Sequence, residues 1–285
     1  MTIDEANRQL LSTLNAVYDE REASSICALV MEKITGESKS LRVIHKQNEF
    51  SNDQESFFKN CLKELLGHRP VQYVLGEAWF AGLRFYVDEH VLIPRPETEE
   101  LAAWVLADLE TASSLKYKVL DIGTGSGCIP VSLGKKRNDL QLLACDVSVS
   151  ALDIARKNSI DNGVAIDFFR CDILDNSSWD QIPDINIILS NPPYIPEQQK
   201  AQLDKHVKNF EPGLALFVPD RDPIIFYKQI GLLAKKKLLP RGKVFLEVHH
   251  DFSKEILRWY GENGFSTDLR KDFSGKNRMI RAVLY

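Results

Sequence analysis

The chain is poor in cysteine, lacks metal-ligand spacings and carries no surplus of positive charge. Its five cysteines, Cys27, Cys61, Cys128, Cys145 and Cys171, are odd in number and widely separated. That excludes a disulfide framework and suits free buried thiols in a reducing cytoplasm. The six histidines form no His-x-x-x-His pair and the cysteines no Cys-x-x-Cys pair, so a metal-free protein is expected. No apolar run is long enough to span a bilayer, and no signal peptide or lipidation signature is visible. A soluble, cytoplasmic protein with no membrane partner is therefore expected. The 36 Lys and Arg against 40 Asp and Glu leave a net charge of −4, which argues against direct nucleic-acid binding by phosphate tracking. Repeats and low-complexity tracts are missing too, and the basic runs Gly134-Lys135-Lys136-Arg137 and Lys235-Lys236-Lys237 read as solvated faces.

What is present is enough for two domains, since 285 residues with 44% hydrophobic content can fill one large core and one small satellite. Residues 1–77 show no strand-like alternation. Their apolar residues recur at helical spacing, as in Leu10, Leu11, Leu14 and Val17, then Ala23, Ile26, Cys27, Val30 and Ile34. Thr2 with Glu5 and Ser51 with Gln54 fit capping boxes, and Gly36 and Gly67 fit C-terminal stops. A small helical bundle is expected, followed by a hairpin or extended linker over 78–95 and a larger domain over 96–285.

Val119 to Ile129 reads as a strand, a glycine-dense turn and a helix start. Gly123, Gly125 and Gly127, with Thr124 and Ser126 between them, let the backbone pass close to a ligand. The spacing is not G-x-G-x-x-G and lacks a terminal Gly-Lys-Ser/Thr, so a pyrophosphate or triphosphate is disfavoured. The next strand, Leu140 to Cys145, ends at Asp146, whose carboxylate can accept both hydroxyls of an unphosphorylated ribose. Asp146 could also cap the helix over Ala151 to Asn158, a task open to Ser148 or Ser150. Phe168 to Ile173 reads as a further strand ending in an acid, with Asp172 placed to read a purine amino group and Ile173 to pack on its ring.

Asn191-Pro192-Pro193-Tyr194 follows the apolar run Ile185 to Leu189. Two prolines have fixed φ and no N–H, so the chain must leave the sheet rigidly there. Asn191 offers an amide, the carbonyls offer acceptors and Tyr194 an aromatic face, a set that fits an –NH2 on a planar carbon. The ends of these four strands converge on one edge of a doubly wound sheet. A nucleoside without phosphates beside a clamp for a planar nitrogen suggests S-adenosylmethionine and methyl transfer to that nitrogen.

These residues resemble those of the class I S-adenosylmethionine methyltransferases and, within them, the release factor glutamine methyltransferases. The likeness extends through Gly67-His68-Arg69-Pro70-Val71-Gln72-Tyr73-Val74-Leu75-Gly76, Leu92-Ile93-Pro94-Arg95-Pro96-Glu97-Thr98-Glu99, Phe210-Glu211-Pro212 with Ala215-Leu216, Leu246-Glu247, and Asp272 to Arg278. It implies an α/β, Rossmann-like, seven-stranded catalytic domain preceded by a small all-α domain that recognises the substrate. It also implies N5-methylation of the glutamine in the Gly-Gly-Gln loop of class I peptide release factors, by a monomer. By the same resemblance Gly123 to Gly127, Asp146, Asp172, Ile173 and Asn191 contact the donor, and Asn191, Pro192, Pro193 and Tyr194 hold the substrate glutamine. Glu247-Val248-His249-His250 departs from the more usual Glu-Ile-Gly, and the two histidines receive no role.

An amide nitrogen is a poor nucleophile because its lone pair is delocalised, whereas a sulfonium methyl is already a strong electrophile. Asn191 Oδ1 and the Pro192 carbonyl can each accept a hydrogen bond from the –NH2, aiming the lone pair along the S–CH3 axis, while Tyr194 packs on the amide. Asn191, Pro192 and Tyr194 are thus the expected catalytic residues. Alignment alone can supply roughly 7–11 kcal/mol, so no Ser/His/Asp or Cys/His set is needed, and the proton leaves to solvent. Arg95, Glu97 and Glu99 read as a charged helix start, Glu211 as ordering the loop over the clamp or touching substrate, and Trp179 and Asp180 as surface or packing. Two alternatives remain: transfer to an exocyclic amine of a nucleic-acid base, which presents the same planar –NH2, and a non-catalytic S-adenosylmethionine-binding regulator.

Overall fold

The computed structural model describes residues 1–110 and 117–285. The chain divides into two compact units, Met1–Glu77 with Asp204–Phe210, and Ala78–Leu203 with Glu211–Tyr285.

The first unit contains α1 (Ile3–Leu14), α2 (Glu20–Thr35), α3 (Lys39–Ile44), α4 (Asn52–Leu66) and α5 (Val71–Leu75). Both capping boxes form, Thr2 with Glu5 and Ser51 with Gln54, each satisfying two otherwise orphaned N–H groups. Gly36 ends α2 in the left-handed region at φ +66°, where a side chain would be strained. Gly67 caps α4 without entering that region, at φ −80°. The apolar stripes read from the sequence meet in one core, with Leu10, Leu14, Val30, Met31 and Leu65 fully buried.

The second unit opens with a hairpin, β1 (Ala78–Phe80) and β2 (Leu83–Phe85). Ala81 and Gly82 both have positive φ, +49° and +76°, as a two-residue turn matching strand twist requires. Glu99 Oε1 accepts from the Ala81 N–H at 2.9 Å, holding that turn. Phe80 and Phe85 are buried against the next helix, α6 (Pro96–Glu110). Then follow β3 (Lys118–Ile122), α7 (Cys128–Lys136), β4 (Gln141–Asp146), α8 (Val149–Asp161), β5 (Asp167–Arg170), β6 (Ile185–Ser190) and β7 (Ile195–Pro196). Beyond α9 (Lys205–Phe210), which clusters with the first unit, come α10 (Gly213–Leu216), β8 (Phe217–Val218), α11 (Ile225–Lys237), β9 (Leu238–Glu247), α12 (Ser253–Glu262), β10 (Phe265–Lys271) and β11 (Asn277–Leu284).

Seven strands form one sheet in the order β10-β11-β9-β6-β3-β4-β5. The five from β9 to β5 pair in parallel, and at one end β11 alone is reversed, pairing antiparallel with β9 on one side and with β10 on the other. Strands β3, β4 and β6 are mostly apolar and largely buried, as expected where helices cover both faces. Residues of α6 and α7 share one core cluster and residues of α11 and α12 the other. The chain runs outward through β3, β4 and β5, then crosses back to β6 on the other side of β3. That reversal leaves a crevice at the carboxyl ends of β3 and β6, where open α/β sheets bind ligands.

The expected strand over Phe168 to Ile173 is shorter than its sequence suggests. Pairing with β4 covers Asp167 to Arg170, because Asp172 Oδ1 accepts from the Leu174 N–H at 2.9 Å and turns the chain. Trp179 is buried and its indole N–H donates to the Ile173 carbonyl at 3.1 Å, so it packs rather than faces solvent.

Candidate functional site

Ile122, the last residue of β3, lies opposite Ser190, the last of β6, so the glycine turn and the Asn-Pro-Pro-Tyr segment emerge side by side. Gly123, Gly125 and Gly127 all sit at positive φ, +71°, +52° and +77°. The first two line a cavity of about 230 Å³, and a Cβ on either would meet nothing within 4 Å among the described residues. Their bareness keeps the cavity wall low. Gly127 faces the other way, where a Cβ would approach the Ala155 Cβ to 3.1 Å; it permits close packing of α7 on α8. Thr124 and Ser126 are buried and do not line the cavity. The Ser126 carbonyl accepts from Asn158 Nδ2 at 2.9 Å, which ties the turn to α8.

Asp146 lines the same cavity and also braces the turn. Its Oδ2 accepts from the Gly125 N–H at 3.0 Å and its Oδ1 from the Ser148 N–H at 2.9 Å. Burial raises its pKa against the pull of those N–H groups. The helix cap is Ser148, whose Oγ accepts from the Ala151 N–H at 3.2 Å, so Asp146 keeps lone pairs for a ligand. Asp172 and Ile173 line the cavity as well.

Asn191, Pro192 and Pro193 border this cavity too. Asn191 Nδ2 donates to Thr98 Oγ1 at 3.1 Å, and Thr98 Oγ1 donates to Glu247 Oε2 at 2.6 Å. Tyr194 OH donates to the other oxygen, Oε1, at 3.4 Å. Thr98 and Glu247 are both buried. Burial pushes the Glu247 carboxyl up to about 7, opposed by the Thr98 hydroxyl and the Arg278 guanidinium. Tyr194 is half-buried, and its pKa is raised by burial and by the Glu247 charge. Among the described residues nothing donates to Asn191 Oδ1, which is therefore open as an acceptor.

Residues 101–210 match the methyltransferase small domain, and residues 5–76 match the PrmC N-terminal domain. A release factor glutamine methyltransferase of Flavobacterium psychrophilum is 39% identical over 283 residues, covering 99% of each chain. One of Bacteroides thetaiotaomicron is 36% identical over 272 residues, covering 95% of this chain and 96% of the other. The chain belongs to the release factor glutamine methyltransferase family. A solved methyltransferase structure from Pyrococcus furiosus, 17% identical, shares the fold with a TM-score of 0.50 over 82% of this chain and 98% of that one.

A methyltransferase of this family needs a pocket for a cationic nucleoside donor, and the residues fit one. Asp121, at the base of the glycine turn, is buried with no hydrogen-bond partner for either carboxylate oxygen among the described residues, and Thr124 Oγ1 is likewise unpartnered. Burial pushes the Asp121 carboxyl up to about 7. Asp121 does not itself line the cavity, but a buried carboxylate directly behind the turn favours a positive ligand nearby, and S-adenosylmethionine carries both a sulfonium and an ammonium. Asp121, Thr98 and Glu247 are the polar residues that reading by segment passed over as site candidates. Asp121 had a local signal, an acid inside an apolar strand; Thr98 and Glu247 had only the resemblance of their surrounding strings.

Proposed function

We propose that the protein transfers a methyl group from S-adenosylmethionine to the N5 amide nitrogen of the glutamine in the Gly-Gly-Gln motif of class I peptide chain release factors. The products are N5-methylglutamine and S-adenosylhomocysteine. The observation that carries this reading is the free Asn191 Oδ1 at the rim of the cavity, with its amide nitrogen already engaged by Thr98. An open acceptor on a rigid Pro-Pro segment suits an –NH2 donor. Family membership supplies the choice of substrate amide.

When bound, the donor supplies an electrophilic methyl. The protein's part is to hold the nucleophile. Asn191 Oδ1 and the Pro192 carbonyl take the two amide hydrogens, and Tyr194 packs against the amide plane. Gly123, Gly125, Asp146, Asp172 and Ile173 form the donor's pocket, with Thr124, Ser126 and Gly127 shaping the turn from behind. As the N–C bond forms and the C–S bond breaks, the nitrogen loses a proton to water, and this exchange calls for no metal. The helical unit Met1–Glu77 serves as the substrate-recognition module. One chain carries every group named, which suits a monomer, and a substrate that works on the ribosome puts the enzyme in the cytoplasm.

Incubation with methyl-labelled S-adenosylmethionine and a release factor tests the reading, beside the same factor with Gln→Ala in its Gly-Gly-Gln motif, and DNA and RNA. Label confined to the intact factor is expected. Label on nucleic acid transfers the reading to base amines, and donor binding without any transfer would make the protein a regulator.

A further inference from the structure

Resting on that functional reading, we propose that Thr98 and Glu247 are positioning residues for the transfer: ionised Glu247 acts through Thr98 to keep Asn191 Oδ1 turned toward the substrate nitrogen. Neither Thr98 nor Glu247 lines the cavity, so any part they take in the reaction runs through a neighbour. That neighbour is Asn191, joined to Glu247 by two consecutive hydrogen bonds of 3.1 and 2.6 Å.

The direction of this chain follows from counting hydrogens. A threonine hydroxyl has one hydrogen, and an ionised carboxylate can only accept. While Glu247 is ionised, the Thr98 hydrogen goes to Oε2 and the Thr98 oxygen must accept. Only the –NH2 side of Asn191 can donate to it, which leaves Oδ1 as the face presented to the cavity. Once Glu247 is protonated it can donate to Thr98, and the Thr98 hydrogen is released toward Asn191. The amide then turns over and offers its –NH2 to the substrate –NH2, donor against donor.

The groups around Glu247 make that ionisation accessible near neutrality. Burial disfavours the charge, and so does Glu97 on the first turn of α6; Arg278 on β11 and the hydroxyls of Thr98 and Tyr194 favour it, with the balance at about 7. Tyr227 on α11 donates to the Glu247 backbone carbonyl at 3.1 Å and fixes the main chain rather than the carboxyl. The relay therefore makes transfer depend on pH although neither the amide nucleophile nor the sulfonium titrates in this range.

The test compares wild type with Thr98→Val, Thr98→Ser and Glu247→Gln, all checked for folding by circular dichroism. Wild-type kcat is expected to rise with pH through about 7, and Glu247→Gln to lack that rise. Thr98→Val should lower kcat about 100-fold, the scale of a misaligned reacting group, with S-adenosylhomocysteine affinity by calorimetry held near wild type; Thr98→Ser should recover most of the loss. Release-factor affinity for the protein loaded with S-adenosylhomocysteine should follow the same ionisation in wild type and not in Glu247→Gln. Wild-type kcat in Thr98→Val, or an unchanged pH limb in Glu247→Gln, overturns the relay. If wild type transfers no methyl to the factor, the functional reading itself fails, and that result is separate from either.

Discussion

Arg95 and Glu211, 116 positions apart, form a tight ion pair in which a single nitrogen, Nη2, reaches both carboxylate oxygens at 2.7 and 2.8 Å. The Glu211 side chain is fully buried, whereas Arg95 is 32% exposed. The pair therefore joins the residue just before α6 to the residue before Pro212, and Pro212 lines the cavity. Its two halves are not equivalent. Removing Arg95 takes one charge-assisted partner from a buried carboxylate, while removing Glu211 leaves a cation that water can still reach.

Arg95→Met is accordingly expected to destabilise the protein by about 1.5–3 kcal/mol, the scale of one hydrogen bond to a charged group, and Glu211→Gln by only about 1 kcal/mol. Chemical denaturation midpoints of the two variants decide the order. The reverse order would mean that the carboxylate is held mainly by its other neighbours.

Asp146→Ala removes the acceptor for two backbone N–H groups and the acid expected at the ribose. Hydrogen bonds to a charged group contribute about 1.5–3 kcal/mol, so S-adenosylhomocysteine should bind roughly ten- to a hundredfold more weakly, with Asp146→Asn between. Calorimetry reads this directly.

Gly127→Ala places a Cβ 3.1 Å from the Ala155 Cβ at φ +77°, combining backbone strain with a clash between α7 and α8. Gly163 also has positive φ, +64°, but open space around it, so Gly163→Ala meets strain alone, about 1–2 kcal/mol. A larger loss of Tm for Gly127→Ala than for Gly163→Ala is expected.

Asp121 and Glu247 both have folded pKa values raised to about 7, from 3.8 and 4.5. Between roughly pH 4 and 7 the folded protein therefore holds protons that the unfolded chain releases. The stabilisation from these groups is complete below about pH 4 and is lost as pH rises through about 7, with a slope of up to about 1.4 kcal/mol per unit for each group. Asp121→Asn should raise Tm relative to wild type at pH 8 and lose that advantage at pH 5. Equal differences at both pH values would show that Asp121 ionises in the fold as it does in water.

Asn191→Leu keeps the volume of the side chain and removes its acceptor. Loss of one preorganised hydrogen-bond partner costs about 10²–10³ in kcat, and no comparable loss of Tm should accompany it. Methyl transfer at the wild-type rate would remove Asn191 from the reaction.

Much of the local structure was legible in the residues. Thr2 with Glu5 and Ser51 with Gln54 announced two helix starts that form, and three alternating glycines marked a turn that needs positive φ three times. The apolar runs before Gly123 and Asn191 announced buried parallel strands. Other features were not decided by segment. Asp172 ends no strand because its own side chain turns the backbone, while of the two readings open for Trp179, surface or packing, its burial decides for packing.

Helix caps, left-handed glycines and a Pro-Pro exit depend on contacts within about four residues, so the amino-acid order alone determines them. The doubly wound sheet then sets Ile122 beside Ser190, and with it the crevice that the glycine turn and Asn191 share. Only the tertiary structure decides which way the Asn191 amide faces. Its partner Thr98 lies 93 positions before it, and Glu247 stands 149 positions from Thr98, and a single hydroxyl hydrogen between them has no signature in sequence. Burial makes the same point for ionisation: Asp121 and Glu247 are ordinary carboxylates until the fold removes them from water.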